Sequence, residues 1–243
     1  MSSTQSIATR RGFLQGLTLG LAGFTTPGLF AETLKTTAST TEGPFYPDKM
    51  PLDTDNDLLI INDAITPAVG QVTHLTGRVL TATAQPVRNA FVEIWQVDST
   101  ASYVHIRGRQ PGGNDANFQG YGRFLTDSKG QYYFRTIKPI SYTLINIFRT
   151  AHIHFAISRN GKRVFTTQML VKGLPENARD GIIRRLDAAA LDTLLVTFNP
   201  IKGSGIGELA ANFDLVLGKT LEELEDGKLG GGVAISRVQR PKG

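Results

Sequence analysis

The chain has 243 residues, a length that suits one large domain with some decoration; 40% are hydrophobic and 19% charged, which excludes bulk disorder. It has no cysteine, so disulfides, thiolate metal sites and cysteine nucleophiles are excluded, and any metal must take His, Tyr, Asp, Glu or backbone ligands. The formal charge of +5 is too mild and too dispersed to point to a nucleic-acid partner.

Residues 1–31 read as an address. "TRRGFLQGLTLGLAGFTTPGLFA" pairs Arg10 with Arg11 ahead of an apolar stretch broken by glycines, and no acid occurs before Glu32. That stretch is short and interrupted for a spanning helix. It resembles a twin-arginine export signal. The resemblance implies a periplasmic protein that crosses the membrane folded and has no stable membrane association after processing. A signal anchor is the alternative.

Residues 32–70 read as an irregular leader, dense in Pro, Gly and Asp, and contain Tyr46 in "GPFYP". A main domain is expected over 71–218 and a tail over 219–243. "THLTGRVL" (73–80) and "FVEIWQVD" (91–98) read as strands. In the second, Phe91, Glu93 and Trp95 alternate with Val92, Ile94 and Gln96, so apolar bulk on both faces predicts cover on both sides, with Trp95 in the core. Tyr103 follows in a loop-like segment. Residues 122–137 carry a hairpin pattern with its turn at 127–130. Tyr142, in "KPISYT", is again loop-like. Residues 151–171 predict a second hairpin, where Asn160-Gly161 supplies the positive φ of a tight turn. A helical section is expected around 186–195 and a closing strand at 213–218. With 26 glycines and 11 prolines spread along the chain, these elements predict an all-β fold: an antiparallel β-sandwich with long loops and one or two short helices.

The chemistry centres on "RTAHIHFAIS" (149–158). Side chains at i and i+2 of a strand share a face, so His152 and His154 project together while Ile153 and Phe155 face the core. Two readings stand: an ion held between two imidazoles, or two hydrogen-bonded core histidines. No Asp or Glu lies within 151–171, which disfavours a local two-histidine-one-carboxylate site. Tyr103 and Tyr142 are the oxygen donors upstream. A phenolate suits a trivalent ion, which lowers the phenol's pKa; each tyrosine taken alone reads more readily as a half-buried sandwich residue with its hydroxyl on a backbone carbonyl than as a ligand. His74 and His105 read as ordinary surface residues.

"TEGPFYPD", "GRVLTATAQPVRNAFVEIWQVD", "DANFQGYGRFLTDSKGQYYFRTIKP", "RTAHIHFAIS" and "RLDAAALDTLLVTF" together resemble the intradiol ring-cleavage dioxygenases, with the nearest likeness to protocatechuate 3,4-dioxygenase β chains. The ordered set covers nearly all of residues 40–218. The resemblance implies non-haem Fe(III) held by Tyr103, Tyr142, His152 and His154, with Tyr142 and His154 axial. It implies a catechol-type substrate and O₂, and cleavage to a cis,cis-muconate. Arg149 matches the family's active-site arginine, Gln168 a glutamine close to the iron, and Tyr46 and Leu144 positions that line the substrate pocket. It also implies assembly, as a homo-oligomer or with a related chain. The chain departs from the family at "PISYTL" (139–144), where "PGPYPW" is frequent. Ile140, Thr143 and Leu144 replace Gly, Pro and Trp in a loop that shapes the pocket, so a carboxylated substrate does not carry over.

Two other readings compete. Residues 77–95 also look like the repeat unit of transthyretin-like and carboxypeptidase-regulatory-like modules, which do not catalyse. A zinc hydrolase would need a third histidine or a carboxylate near the His pair.

Overall fold

The computed structural model describes residues 33–218, apart from 52, 63–64 and 145, and the backbone of two short strands beyond them. The expected export signal and most of the expected tail lie outside the described residues.

The architecture is a β-sandwich. One sheet is built on β1 (Val72–Thr81), which pairs antiparallel with β4 (Gln131–Ile137) and parallel with β11 (Leu209–Asn212) and β12 (Leu215–Leu217); β10 (Asn199–Pro200) edges β11. The other runs β3 (Tyr121–Leu125), β2 (Phe91–Trp95), β7 (His152–Arg159), β8 (Lys162–Val171) and β9 (Leu195–Val196). Between them lies the main core, to which Leu75, Val79, Ile94, Phe134, Ile153, Phe155, Ile157 and Met169 contribute. A separate hairpin joins β5 (Tyr142–Leu144) to β6 (Ile147–Arg149), and a last short pair joins β13 (Glu222–Glu223) to β14 (Leu229–Gly230).

The 151–171 hairpin forms as the sequence predicts. Arg159 pairs with Lys162 across Asn160 (φ 48°) and Gly161 (φ 72°), both left-handed as a tight primed turn requires. The 122–137 segment does not form a hairpin. Its turn at Asp127 exists, with the carboxylate accepting from Lys129 N and Gln131 N at 2.8 Å. However, β3 pairs with β2 while β4 crosses to β1 in the facing sheet. A turn between two alternating runs looks the same whether the second strand folds back or crosses. The difference lies in distant β1, whose Val79 N bonds Gly130 O at 2.8 Å. Parallel pairs also enter where long connections return the chain: β9 reaches β8 only after residues 172–194.

The expected helix at 186–195 is shorter, Ala188–Asp192, capped by Asp187 accepting from Ala190 N. It stops because Leu194 is fully buried and Leu195 joins β9. The leader has no strand among its described residues, yet it is fastened down. Thr37 N bonds Val216 O, Thr40 N bonds Thr166 O, and Leu58 and Leu59 are buried in the main core.

Candidate metal centre

β7 is buried on both faces, and its alternation decides what each face does. Ile153, Phe155 and Ile157 enter the main core. His152 and His154 point the other way, toward a smaller cluster of Trp95, Val97, Tyr103, Tyr121, Tyr142 and Ala156. Trp95 is core, as expected, and is paired with His154 across β2 and β7. Their rings stack with centroids 4.8 Å apart and planes 8° apart. The leader also reaches the imidazole: Gly43, at φ 76°, would place a Cβ only 3.2 Å from His154 Cε1.

Tyr103 arrives on the loop after β2. The Asp98 carboxylate organises that loop by accepting from Thr100 N, Ser102 N and Asp115 N at 2.6–2.9 Å. Tyr103 N then bonds Gly108 O, and Gly108 packs so closely that a Cβ there would lie 2.7 Å from Tyr103 Cβ. Tyr142 opens β5 directly opposite Arg149 on β6. These elements bring four donor atoms together. Tyr103 Oη lies 2.9 Å from Tyr142 Oη, 3.3 Å from His152 Nε2 and 3.1 Å from His154 Nε2, and the two imidazole nitrogens are 3.1 Å apart. All four side chains are buried.

The donor set fits a cation. His152 Nδ1 is 2.5 Å from Thr150 O; a carbonyl only accepts, so the proton sits on Nδ1 and Nε2 presents its lone pair inward. Burial, then Arg149, pulls His152 down to about 3, so the imidazole is neutral. Burial, then His152, holds His154 well below the ordinary histidine value. Burial pushes Tyr103 and Tyr142 up, so neither phenol ionises in this setting without a positive charge at its oxygen. An ion with ligands at about 2.0–2.2 Å spaces neighbouring donors about 3 Å apart, which is the spacing seen. Among the described residues no group of three or more His, Asp or Glu could share an ion. The phenols are the side chains that lie beside this His pair, and the third histidine or carboxylate of a zinc hydrolase is absent among the described residues.

Arg149 is buried beside this cluster. Its Nε donates to Asp180 Oδ2 at 2.9 Å and its Nη2 to Gln168 Oε1 at 2.5 Å. Gln168 is paired with His154 across β7 and β8, is fully buried, and donates to Thr41 O. Gln168 and Arg149, each expected near the centre, lie in contact, and Asp180, about 30 residues downstream of Arg149 with no motif around it, joins them although the sequence does not single it out.

The pocket residues fall differently. Leu144 packs against the Trp95–Tyr103 cluster. Tyr46 packs edge-on against Trp95, but its hydroxyl is committed to Glu93 at 2.7 Å, away from the four donors. Glu93 is a second site-shaping residue that the sequence reading leaves unassigned. It also accepts from Tyr121 Oη at 2.5 Å and Arg163 at 3.1 Å, and Arg163 continues to Glu42. His105 is buried rather than at the surface, capping Arg107 N and packing on Phe45. His74 bridges Tyr133 Oη and Glu208 and is partly covered.

A family model described as Dioxygenase matches residues 41–219. The protocatechuate 3,4-dioxygenase beta chain of Burkholderia cepacia is 38% identical over 154 residues, covering 61% of this chain and 65% of that one. Catechol 1,2-dioxygenase 2 of Acinetobacter lwoffii is 31% identical over 153 residues, covering 57% and 52%. The chain thus spans about half to two thirds of the curated relatives it matches. Two solved structures share the fold: 3-chlorocatechol 1,2-dioxygenase from Rhodococcus opacus (TM-score 0.60, 21% identity, 78% of this chain and 76% of that one), and an intradiol ring-cleavage dioxygenase from Tetranychus urticae (TM-score 0.57, 20% identity, 76% and 95%). The family match runs from the loop that closes over His154 to the last core strand, and the chain belongs to the intradiol ring-cleavage dioxygenases.

Proposed function

We propose that the protein is a non-haem Fe(III) intradiol dioxygenase that opens a catechol-type ring with O₂ between its two hydroxyl-bearing carbons, giving a cis,cis-muconate. The observation that carries this reading is the buried convergence of Tyr142 Oη, His152 Nε2 and His154 Nε2 on Tyr103 Oη at 2.9–3.3 Å, with the two imidazole nitrogens 3.1 Å apart. A ferric ion bound there would supply Lewis acidity that makes a chelated catecholate reactive toward O₂ without an external reductant.

The protein's own groups do the rest. His152 and His154 offer neutral lone pairs at no protonation cost near neutral pH. Tyr103 and Tyr142 would hold a ferric ion as phenolates, their protons going to solvent, and would offset two of its three charges. Tyr142 Oη, whose phenol burial pushes above its ordinary value, would be the group to hold a proton from an incoming catechol. Arg149, held beside the donors, stabilises negative charge that develops on the ring. The relatives' names include protocatechuate, catechol and hydroxyquinol enzymes, which supports a catechol core. The Arg10-Arg11 leader supports export to the periplasm, and the family resemblance supports assembly as a homo-oligomer or with a related chain.

Tyrosinate bound to Fe(III) absorbs visible light, so the purified iron-replete protein is expected to be red-brown. Tyr142→Phe and His154→Ala should shift or bleach that band. Oxygen uptake should follow addition of catechol, protocatechuate or hydroxyquinol. A colourless iron-replete protein, inert to all three, sinks the reading.

A further inference from the structure

The turn at Pro175–Arg179 and the residue after it reach back across the segment that carries the centre. Glu176 accepts from Ser141 Oγ, which itself accepts from Ala151 N. Asn177 accepts from Thr150 Oγ1 at 2.5 Å and donates to Val171 O. Asp180, fully buried, takes Arg149 Nε at 2.9 Å and Thr150 N at 3.0 Å on one oxygen, and Ile182 N at 2.9 Å and Ile183 N at 3.2 Å on the other. These contacts land on Ser141, Arg149, Thr150 and Ala151, beside Tyr142, which opens the β5–β6 hairpin, and His152, which follows it.

Asp180 is the charged member of this clamp. A buried guanidinium without a counter-charge is costly, and a bare second cation beside an Fe(III) site would oppose loading. Gln168 holds Nη2 but brings only a dipole. With Nε fixed by Asp180 and Nη2 by Gln168, the planar guanidinium has one orientation, and Nη1 makes no hydrogen bond among the described residues. Nη1 is therefore the group that Arg149 can offer to a bound ring. Burial alone would raise the Asp180 carboxyl, but the Arg149 guanidinium and the N–H groups of Thr150 and Ile182 outweigh it and keep it ionised. All four donors on the carboxylate are N–H groups, so an amide in its place must turn its NH₂ toward one of them.

We propose that Asp180 is a positioning residue of the centre: it aims the Arg149 guanidinium at the reacting ring and balances its charge, acting through Arg149. The inference rests on the reading of the four donors as an iron centre.

The test compares wild type, Asp180→Asn, Arg149→Gln and the double variant, all iron-loaded, by visible band, melting temperature, kcat and KM. For Asp180→Asn we expect the band to be retained, because the four ligands remain. We expect kcat to fall about 10–100-fold, the scale of a misplaced catalytic group, with KM changing less. In the double variant, Asp180→Asn should add nothing to the loss caused by Arg149→Gln. A kcat for Asp180→Asn within about twofold of wild type overturns the proposal, as does a loss of the same size in both backgrounds, since independent sites add. If Asp180→Asn does not fold, the double variant decides. Recovery of the fold with the kcat of Arg149→Gln supports the proposal, because the fault was an unpaired Arg149. A double variant that also fails to fold overturns it, because Asp180 then serves the turn at Ile182 and Ile183. A colourless, inert wild type is a different failure, that of the iron reading itself.

Discussion

His154 shows how tightly single residues are matched here. The Trp95 indole lies on one face of its ring and Gly43 meets its edge. Gly43→Ala faces two penalties, a left-handed φ of 76° and a Cβ at 3.2 Å from the imidazole. It is expected to cost about 1–3 kcal/mol by thermal melting and to shift the visible band. Gly161→Ala is the control: its φ of 72° is as strained, but nothing lies within 4 Å of the new Cβ, so it should cost stability and leave the band alone. An unmoved band in Gly43→Ala would show that the leader does not position His154. At this scale the sequence is informative where the chemistry is local. The His pair follows from the two-residue period of a strand. Tyr103 and Tyr142 are 39 residues apart, and only the family likeness joins them to the His pair. Asp180 and Glu93 were illegible because their partners are distant in the chain and a lone carboxylate carries no pattern.

Among the elements, the leader and the second sheet are joined by one charged knot. Glu93 on β2 accepts from Tyr46, Tyr121 and Arg163, and Arg163 on β8 also reaches Glu42 in the leader. Burial would raise the Glu93 carboxyl, but the two phenol hydrogen bonds and Arg163 win and hold it below its ordinary value. A carboxyl depressed on folding stabilises fully above its unfolded value of 4.5 and loses that contribution as pH falls through the folded value. Urea midpoints should therefore hold near pH 4.5 and fall below it. Glu93→Gln should lower the midpoint at neutral pH and flatten that acid decline; an unchanged decline would locate the acid sensitivity elsewhere. Strand positions were readable from alternation and turns, and the β7–β8 pairing from Asn160-Gly161, whereas partners across the chain were not. The crossing at Asp127–Gly130 depends on β1 capturing Gln131 onward, which no pattern within 122–137 encodes.

Over the whole molecule, the four donors tie three separate stretches together: the loop after β2, the β5–β6 hairpin, and β7. Loading an ion binds only the folded arrangement, and ligand at 100 times its Kd adds about 2.7 kcal/mol. Chelation should lower the melting temperature in step with loss of the visible band, and ferric iron should restore both. A melting temperature indifferent to chelation would mean that the donors are not bridged. The main core lies on the opposite face of β7, so the stripped protein should keep its β-sheet circular dichroism.

The β5–β6 hairpin pairs Tyr142 with Arg149, Thr143 with Phe148 and Leu144 with Ile147. Its base carries Tyr142, one of the four converging donors, and the Arg149 guanidinium, while Ile147 near its tip is exposed. Base and tip can therefore change independently. Variation at the exposed end of this hairpin should leave the pairing of Tyr142 with Arg149 at its buried end in register.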